Sequence, residues 1–463
     1  MSKPLHHNRS RAGSGGLVLA GALLIATLAA CSSGGSSTSG SGTGSKDSGS
    51  FGFSQEKQDA SAPITVWVDS DRAAAATAFT KANPGVAVKV VTYDGSANGS
   101  NSFKTKIGLL DRAGQGWPDV VFSTQNNDAA WASQKTNGKA AFGAVLDQGL
   151  IPANVIGGFT KGALDPCTVS GHVYCLRNDL AQNVLWFNTT LMGKFGYTLP
   201  TSWEEYQTLS AKVAQEHPGY LTGGVGDAWT PEVFMWASQC GANQVTGPRA
   251  VTIDATGPNC QRAAKLIDAG VANKTLSTVS VFSPGFVKQY AGKVLMMPGP
   301  AWFAGAIFNN PSALKLPAGQ LGVAAPLAWS GAQPVTGDVG GGTWFISSHS
   351  KNLAAASKFA QFVTTSDDYQ VDLAPGYPAF SAAGAKWIAK QESSKYYATS
   401  LQSIIDAGGQ IWSGWGSPEF SQEAVWAKTM TPLVNSGTSI AANLQKWQDA
   451  LKNQAQVTGY TVK

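Results

Sequence analysis

Carboxylates, carboxamides and tryptophans gather where this chain has to turn. Asp69, Asp71 and Arg72 follow the apolar run Ile-Thr-Val-Trp-Val that ends at Val68. Gln125 and Asn126 lie in the polar stretch that follows Val-Val-Phe122, and Asp227 and Trp229 sit in Gly226-Asp-Ala-Trp-Thr-Pro231, between glycine and proline. Ile411-Trp-Ser-Gly-Trp-Gly-Ser417 places Trp412 and Trp415 in one loop. Together these side chains suit a neutral, polyhydroxylated solute: an indole face packs on C–H groups, while carboxylates, amides and guanidinium groups pair with hydroxyls. Each also has a plainer use. Asp69 or Asp71 can cap a helix, and a Trp-x-x-Trp loop can cap a core as readily as it stacks on a ligand.

Covalent chemistry finds less support. Hydrolysis of glycosidic bonds needs two carboxylates at a fixed separation, and carboxylates are too numerous here for their presence to decide anything. The folded part contains no G-x-S-x-G, H-E-x-x-H or G-x-x-x-x-G-K-[ST] motif, which argues against the corresponding serine, zinc and nucleotide chemistries. His172, His217 and His349 are scattered singly, so neither a triad nor a metal site is expected, and no cofactor is called for. Cys167, Cys175, Cys240 and Cys260 form an even set with C-x7-C and C-x19-C spacings. Without a CxxC pair this reads as structural disulfides of an exported protein. Three connectivities are open, of which Cys167–Cys175 with Cys240–Cys260 is the most local.

Lys and Arg number 33 against 28 Asp and Glu, and charged residues make up 13% of the chain, about half the roughly 25% of an average domain. Nucleic acid is therefore not an expected partner, and the 463 residues allow two or three domains. Residues 1–15 carry Lys3, Arg9 and Arg11 with no acid, and residues 17–30 read LVLAGALLIATLAA. That is the pattern of a signal peptide, and it is short for a membrane span of about 20 residues. Leu28-Ala-Ala-Cys31 resembles the lipobox of bacterial lipoproteins, which implies cleavage before Cys31 and a diacylglyceryl group on its thiol. The Ser/Gly/Thr-rich stretch after it cannot bury a core, so residues 31–61 are expected to be a tether averaging on the order of 30 Å.

The positioning elements follow from apolar periodicity. A strand over 63–68, a helix over 73–82 broken by Asn83-Pro-Gly85, and a strand over 86–93 make a βαβ unit; a helix over 103–113 and a strand over 117–122 follow. Ligands of open α/β sheets bind at the carboxyl ends of the strands, which is where Asp69–Arg72 and Gln125–Asn126 fall. Further on come Val184-Leu-Trp-Phe-Asn188, Leu199-Pro-Thr-Ser-Trp-Glu-Glu-Tyr206, a Gly-Lys pair before Val-Leu-Met-Met297, Pro298-Gly-Pro-Ala-Trp302, Gly340-Gly-Gly-Thr-Trp-Phe-Ile346 and Tyr377-Pro378. Their order resembles the carbohydrate-binding family of extracellular solute-binding proteins of ABC importers, to which maltose-binding proteins belong; Phe187 stands where that family usually has tyrosine.

The resemblance implies a two-lobe, periplasmic-binding-protein-like α/β fold with chain crossings and a hinge-flanked cleft. One lobe would hold 62–178 and 299–336, the other 180–297 and 341–460, after a signal peptide over 1–30. It adds Trp229, Trp302, Gly341, Trp344 and Tyr377 to the expected ligand contacts, and Asp338, just before the glycine run, is a possible hydroxyl acceptor. Trp387, Trp426 and Trp447 lie on helix-like stretches and are expected in the core. The expected protein is a lipid-anchored, monomeric, non-enzymatic receptor on the extracytoplasmic face of the bacterial membrane. It would bind a sugar and deliver it to ABC permease subunits. An exported glycan hydrolase and a non-transport glycan-sensing or adhesive lipoprotein are the rival classes, and Arg72 and Arg177 keep an amino-acid ligand open.

Overall fold

Ile64, Val66 and Val68 alternate inward and are fully buried, and this period of two builds the strand Ile64–Val68. The structure is a computed structural model that describes residues 51–135 and 140–463; the signal sequence, Cys31 and tether residues 32–50 lie outside the described residues. The helix Ala73–Ala82 buries Phe79 and stops where Asn83 Nδ2 bonds back to the Phe79 carbonyl at 3.0 Å. Strand Val88–Thr92 then returns parallel to the first, and strand Val120–Ser123 pairs parallel on its other side. The sheet runs Val88–Thr92, Ile64–Val68, Val120–Ser123, Thr343–Ile346, Leu176–Arg177, the last two joining through antiparallel pairings. Phe79 meets Phe359 at 4.9 Å between ring centroids, and Phe122 meets Trp344 at 5.0 Å, so this sheet is covered by the helix Leu353–Thr365.

A second sheet places Asn183–Asn188 between antiparallel neighbours Met296–Pro300 and Leu321–Ala324. Pro298 and Pro300 are tolerated there because their strand lies at an edge. Helix Trp203–Glu216 starts at Ser202, whose hydroxyl accepts from Glu205 N at 3.1 Å, as the sequence suggests. A third sheet of Gly241–Gly247, Ala250–Asp254 and Thr461–Val462 accompanies the helix Leu444–Val457. Trp426 and Trp447 meet edge to face at 5.0 Å, and both are buried, as is Trp387. No helix among the described residues is long and apolar enough to cross a membrane.

The chain crosses between the first and second sheets along two segments that are zipped together. Asn178 N donates to Gly342 O at 2.7 Å, Val339 N to Ala181 O at 3.0 Å and Asn183 N to Gly337 O at 3.0 Å. This pairing corrects the expected allotment of 299–336 to the first lobe and 341–460 to the second. Leu321–Ala324 pairs with Asn183–Asn188, whereas Thr343–Ile346 enters the first sheet. The chain rejoins the second sheet near Tyr397, which bridges to Leu321. The motif order gave the sequence of crossings but not the sheet each strand enters.

Residues 51–61, expected as tether, are bonded to the folded body. Gln58 Oε1 accepts from Leu353 N at 2.8 Å, its Nε2 donates to Ser350 O at 3.0 Å, and Asp59 N donates to Lys351 O at 2.7 Å. The two most local cysteine pairings are formed, Cys167–Cys175 and Cys240–Cys260, closing separations of 8 and 20 residues. Replacing either pair by serine should cost about 2–4 kcal/mol of unfolding free energy, with the longer loop costing slightly more. Chemical denaturation of the two double variants checks this, and unchanged midpoints would contradict it.

Candidate ligand-binding cleft

Parallel strands bring their carboxyl ends to one rim of the first sheet, and that rim carries Asp69, Asp71, Arg72, Asn98, Thr124 and Gln125. Thr343–Ile346 runs antiparallel, so the residues before it, Gly340, Gly341 and Gly342, meet the same rim. All three have positive φ, at 75°, 83° and 21°, and a Cβ on Gly341 would collide with the Arg177 guanidinium and the Asp179 carbonyl. Glycine is required here by close backbone approach. Facing the rim are Trp229, Phe282, Trp302 and Asn310, and between them lies a cavity of about 620 Å³.

The far wall is aromatic. Trp302 and Phe282 lie parallel within 8° at 5.9 Å between centroids, and Trp229 stands edge-on to both at 5.9 and 5.6 Å. Trp302 is oriented by its indole N–H, which donates to the Val339 carbonyl at 2.8 Å. Phe282 is 50% exposed although it directly precedes the N-cap Ser283, where an apolar side chain usually packs back on its own helix.

Opposite, Asp69 orders the turn before the first helix. Its Oδ1 accepts from Arg72 N at 2.9 Å and its Oδ2 from Arg72 Nη1 at 3.1 Å, while Arg72 lies 4.6 Å over the Phe122 ring. Burial raises the Asp69 carboxyl above the ordinary carboxylate range, and Arg72 offsets part of that rise. Burial likewise raises Asp179, again partly offset by Arg72. The Asp71 carboxylate, 75% exposed, is 3.8 Å from Arg72 and remains free to accept hydroxyl hydrogens. Glu423 accepts from Gln125 Nε2 at 3.1 Å, and burial pushes its carboxyl up to about 7.

Seven expected residues therefore share one cavity: Asp69, Asp71, Arg72, Gln125, Trp229, Trp302 and Gly341. The others are committed elsewhere. Asp338 accepts from Arg177 Nη2 at 2.7 Å and from Ala181 N at 3.1 Å, and Asn126 donates to Asp338 at 3.3 Å. Asp227 accepts from Ser280 Oγ at 2.5 Å and Val281 N at 3.0 Å, pinning the loop that carries Phe282. Trp344 is a core residue, fully buried, with its N–H on Asn178 Oδ1 at 3.0 Å. Tyr377 is buried against Trp387 at 5.8 Å. Trp415 stacks on Trp236 at 5.5 Å, and the Trp412 carbonyl accepts the Trp236 indole N–H at 2.7 Å, so this pair closes a core edge.

Phe282, Asp179, Asn310 and Glu423 escaped the sequence reading, and only Phe282 carried a signal, in the apolar pair Val281-Phe282 between Ser280 and Ser283. Among the described residues the histidines stay apart: His172 pairs with Asp147 at 3.4 Å, while His217 stacks on Phe195 and His349 on Trp117. No three His, Cys, Asp or Glu side chains gather as a metal site among the described residues.

Two α/β bodies joined by paired crossing strands, with an aromatic wall facing strand-end loops, define a cleft-type solute-binding protein. The family model described as bacterial extracellular solute-binding protein matches residues 65–370, and the chain belongs to that family, one of binding proteins rather than enzymes. Among curated proteins it is similar to a probable ABC transporter-binding protein of Deinococcus radiodurans, 24% identical over 227 residues that cover 46% of this chain. The match spans about half, 52%, of that relative's length. Among solved structures it resembles the ABC transporter associated binding protein of B. animalis subsp. lactis in complex with β-1,6-galactobiose, with TM-score 0.71 and 20% identity, covering 87% of this chain and 99% of that one. It also resembles the galacto-N-biose/lacto-N-biose I-binding protein of Bifidobacterium longum in complex with lacto-N-biose, with TM-score 0.68 and 17% identity, covering 88% and 100%. These likenesses confirm the two-lobe fold.

Asp338→Ala would leave the Arg177 guanidinium, 1% exposed, buried without its carboxylate. It should cost about 3–5 kcal/mol of stability, measured by denaturant unfolding. A midpoint unchanged from wild type would restore Asp338 to the ligand-contact set.

Proposed function

We propose that this chain is a sugar receptor of an ABC importer: it captures a neutral mono- or oligosaccharide outside the membrane and hands it to permease subunits. The observation that carries the reading is the pairing of the parallel Trp302–Phe282 wall with the hydrogen-bonding rim at Asp71 and Gln125 across about 620 Å³. Such a space holds a drug-sized solute. The apolar face of a pyranose packs on the indole and phenyl rings, while its hydroxyls pair with Asp69, Asp71, Arg72, Gln125 and Asn310, and Gly341 lets the backbone approach. The sugars named for the two structural relatives support the same ligand class. Arg72 is already committed to Asp69, which weighs against an amino-acid zwitterion needing an unpaired cation.

In this reading the crossing segments act as the hinge, and the ligand stabilises the closed arrangement only by its extra contacts there. Anchoring follows from the Leu-Ala-Ala-Cys31 sequence: a lipid on Cys31 holds the monomeric receptor at the extracytoplasmic face, and the docking of residues 51–61 shortens the free tether. A diacylglyceryl group carries two acyl chains, which anchor stably where a single chain binds only marginally.

The test is a thermal-shift panel of mono-, di- and oligosaccharides, amino acids and polyols on the chain from Phe51 onward. A sugar at about a hundredfold Kd adds roughly 2.7 kcal/mol, a clear rise in Tm, and it should be recovered intact after overnight incubation. A rise with amino acids alone, or cleavage of the sugar, would contradict the reading. Phe282→Ala should weaken sugar binding at least about tenfold, or about 1.4 kcal/mol, while leaving the ligand-free Tm within a few degrees because the ring is half exposed.

A further inference from the structure

Beside the large cavity lies a small space of about 40 Å³, bordered by Asn126, Glu232, Asn243, Gln422 and Glu423 and sharing Gln125, Gly340 and Glu423 with its neighbour. It is large enough for one ion or about one water. The amide orientations around it are fixed by their nitrogens. Asn243 Nδ2 donates to Gly416 O at 2.6 Å, Gln422 Nε2 to Ala242 O at 3.4 Å and Asn126 Nδ2 to Asp338 Oδ2 at 3.3 Å. Flipping any of them would set oxygen against oxygen, so each keeps its carbonyl oxygen turned away from those partners.

The three carbonyl oxygens, and Glu232 Oε2, are buried and accept no hydrogen bond from a described protein group. Asn243, Gln422 and Glu232 are only 2%, 5% and 7% exposed. Glu423 brings a second carboxyl, 8% exposed. The residues bordering the space include no Lys, Arg or His. Buried acceptors are normally satisfied, and buried carboxylates are normally paired or bound to a metal. Glu423 has the Gln125 amide, but no described protein group satisfies Glu232 Oε2 or the three amide oxygens, and no cationic side chain borders either carboxylate.

We propose that this space is a site for a calcium-sized divalent cation, held by the Glu232 and Glu423 carboxylates and the side-chain oxygens of Asn126, Asn243 and Gln422. All of the donors are hard oxygens, which suit calcium, whereas nitrogen and sulfur donors would favour transition metals. Two carboxylates balance a double positive charge. Magnesium releases its waters reluctantly and demands a near-ideal octahedron, which five protein donors around a small space do not offer. Burial, with Glu423 as its neighbour, holds the Glu232 carboxyl well above the ordinary range, so cation binding there would release a proton and strengthen with rising pH. Since Glu423 borders both spaces, the ion fixes one wall of the cavity whatever solute that cavity takes.

The experiment uses the EDTA-stripped chain from Phe51 onward with calcium, magnesium or sodium chloride as probe. Calcium is expected to raise Tm by several degrees, and metal analysis after dialysis should find one calcium per chain. Glu232→Gln and Gln422→Ala, each checked for native circular dichroism, should lose retention and the calcium-dependent rise. If Glu232→Gln fails to fold, Gln422→Ala with a Glu423→Gln variant carries the test. No calcium retained by wild type, an equal response to magnesium or sodium, or undiminished calcium binding by the folded variants would each overturn the proposal. The oxygens would then be assigned to water and to protons on the carboxyl pair.

Discussion

The buried pair between Arg177 and Asp338, 2.7 Å apart, is the constraint on which the rest of the structure depends. It joins the two segments that cross between sheets at the place where they run side by side. Arg177 also donates to the Asp179 and Gly340 carbonyls, at 3.0 and 2.5 Å, and Asp338 receives Ala181 N. A guanidinium this deep persists because its donors are satisfied by fixed partners, and the planar fork suits several acceptors at once. Gly341 follows from it, since a side chain there would run into the guanidinium, whereas Gly342 is required by the Phe122 ring. The rim of the cleft is therefore fixed by an ion pair that lies outside the cavity's lining.

From that knot the cleft is assembled by topology. Parallel strands deliver Asp69–Arg72 and Gln125 to one side, and the strand ending at Pro300 delivers Trp302 to the other. The Trp302 indole N–H reaches Val339, next to Asp338, so the aromatic wall is oriented by the same crossing segment. Asp227 holds the Phe282 loop by accepting from Ser280 and Val281. The polar residues expected at the ligand are thus split: some form the rim, while Asp227 and Asp338 hold the parts that do.

Much of the fold was legible because its signals are local. Alternation at Ile64, Val66 and Val68, the Asn83-Pro-Gly85 break and the Ser202 cap each operate within a few residues. The membership of Thr343–Ile346 was not legible: a run buried on both faces reads as a central strand, and nothing in it states which sheet. Trp344 was misjudged for the same reason, since its partner Asn178 is 166 residues distant and glycines beside an indole resemble a binding loop. Phe282 and Glu423 acquire their place only from partners distant in sequence, Trp302 and Gln125. Trp412 and Trp415 admitted both readings until Trp236 supplied their partner.

The account's central claim is that an aromatic wall and a hydrogen-bonding rim together take a neutral sugar without transforming it. Calorimetric titration of a disaccharide into the chain at several temperatures tests this most directly. The account predicts one site per chain, a negative heat-capacity change from burying the aromatic faces, and loss of the signal in Trp302→Ala. Absence of heat with every saccharide tried, or binding undiminished in Trp302→Ala, would contradict it.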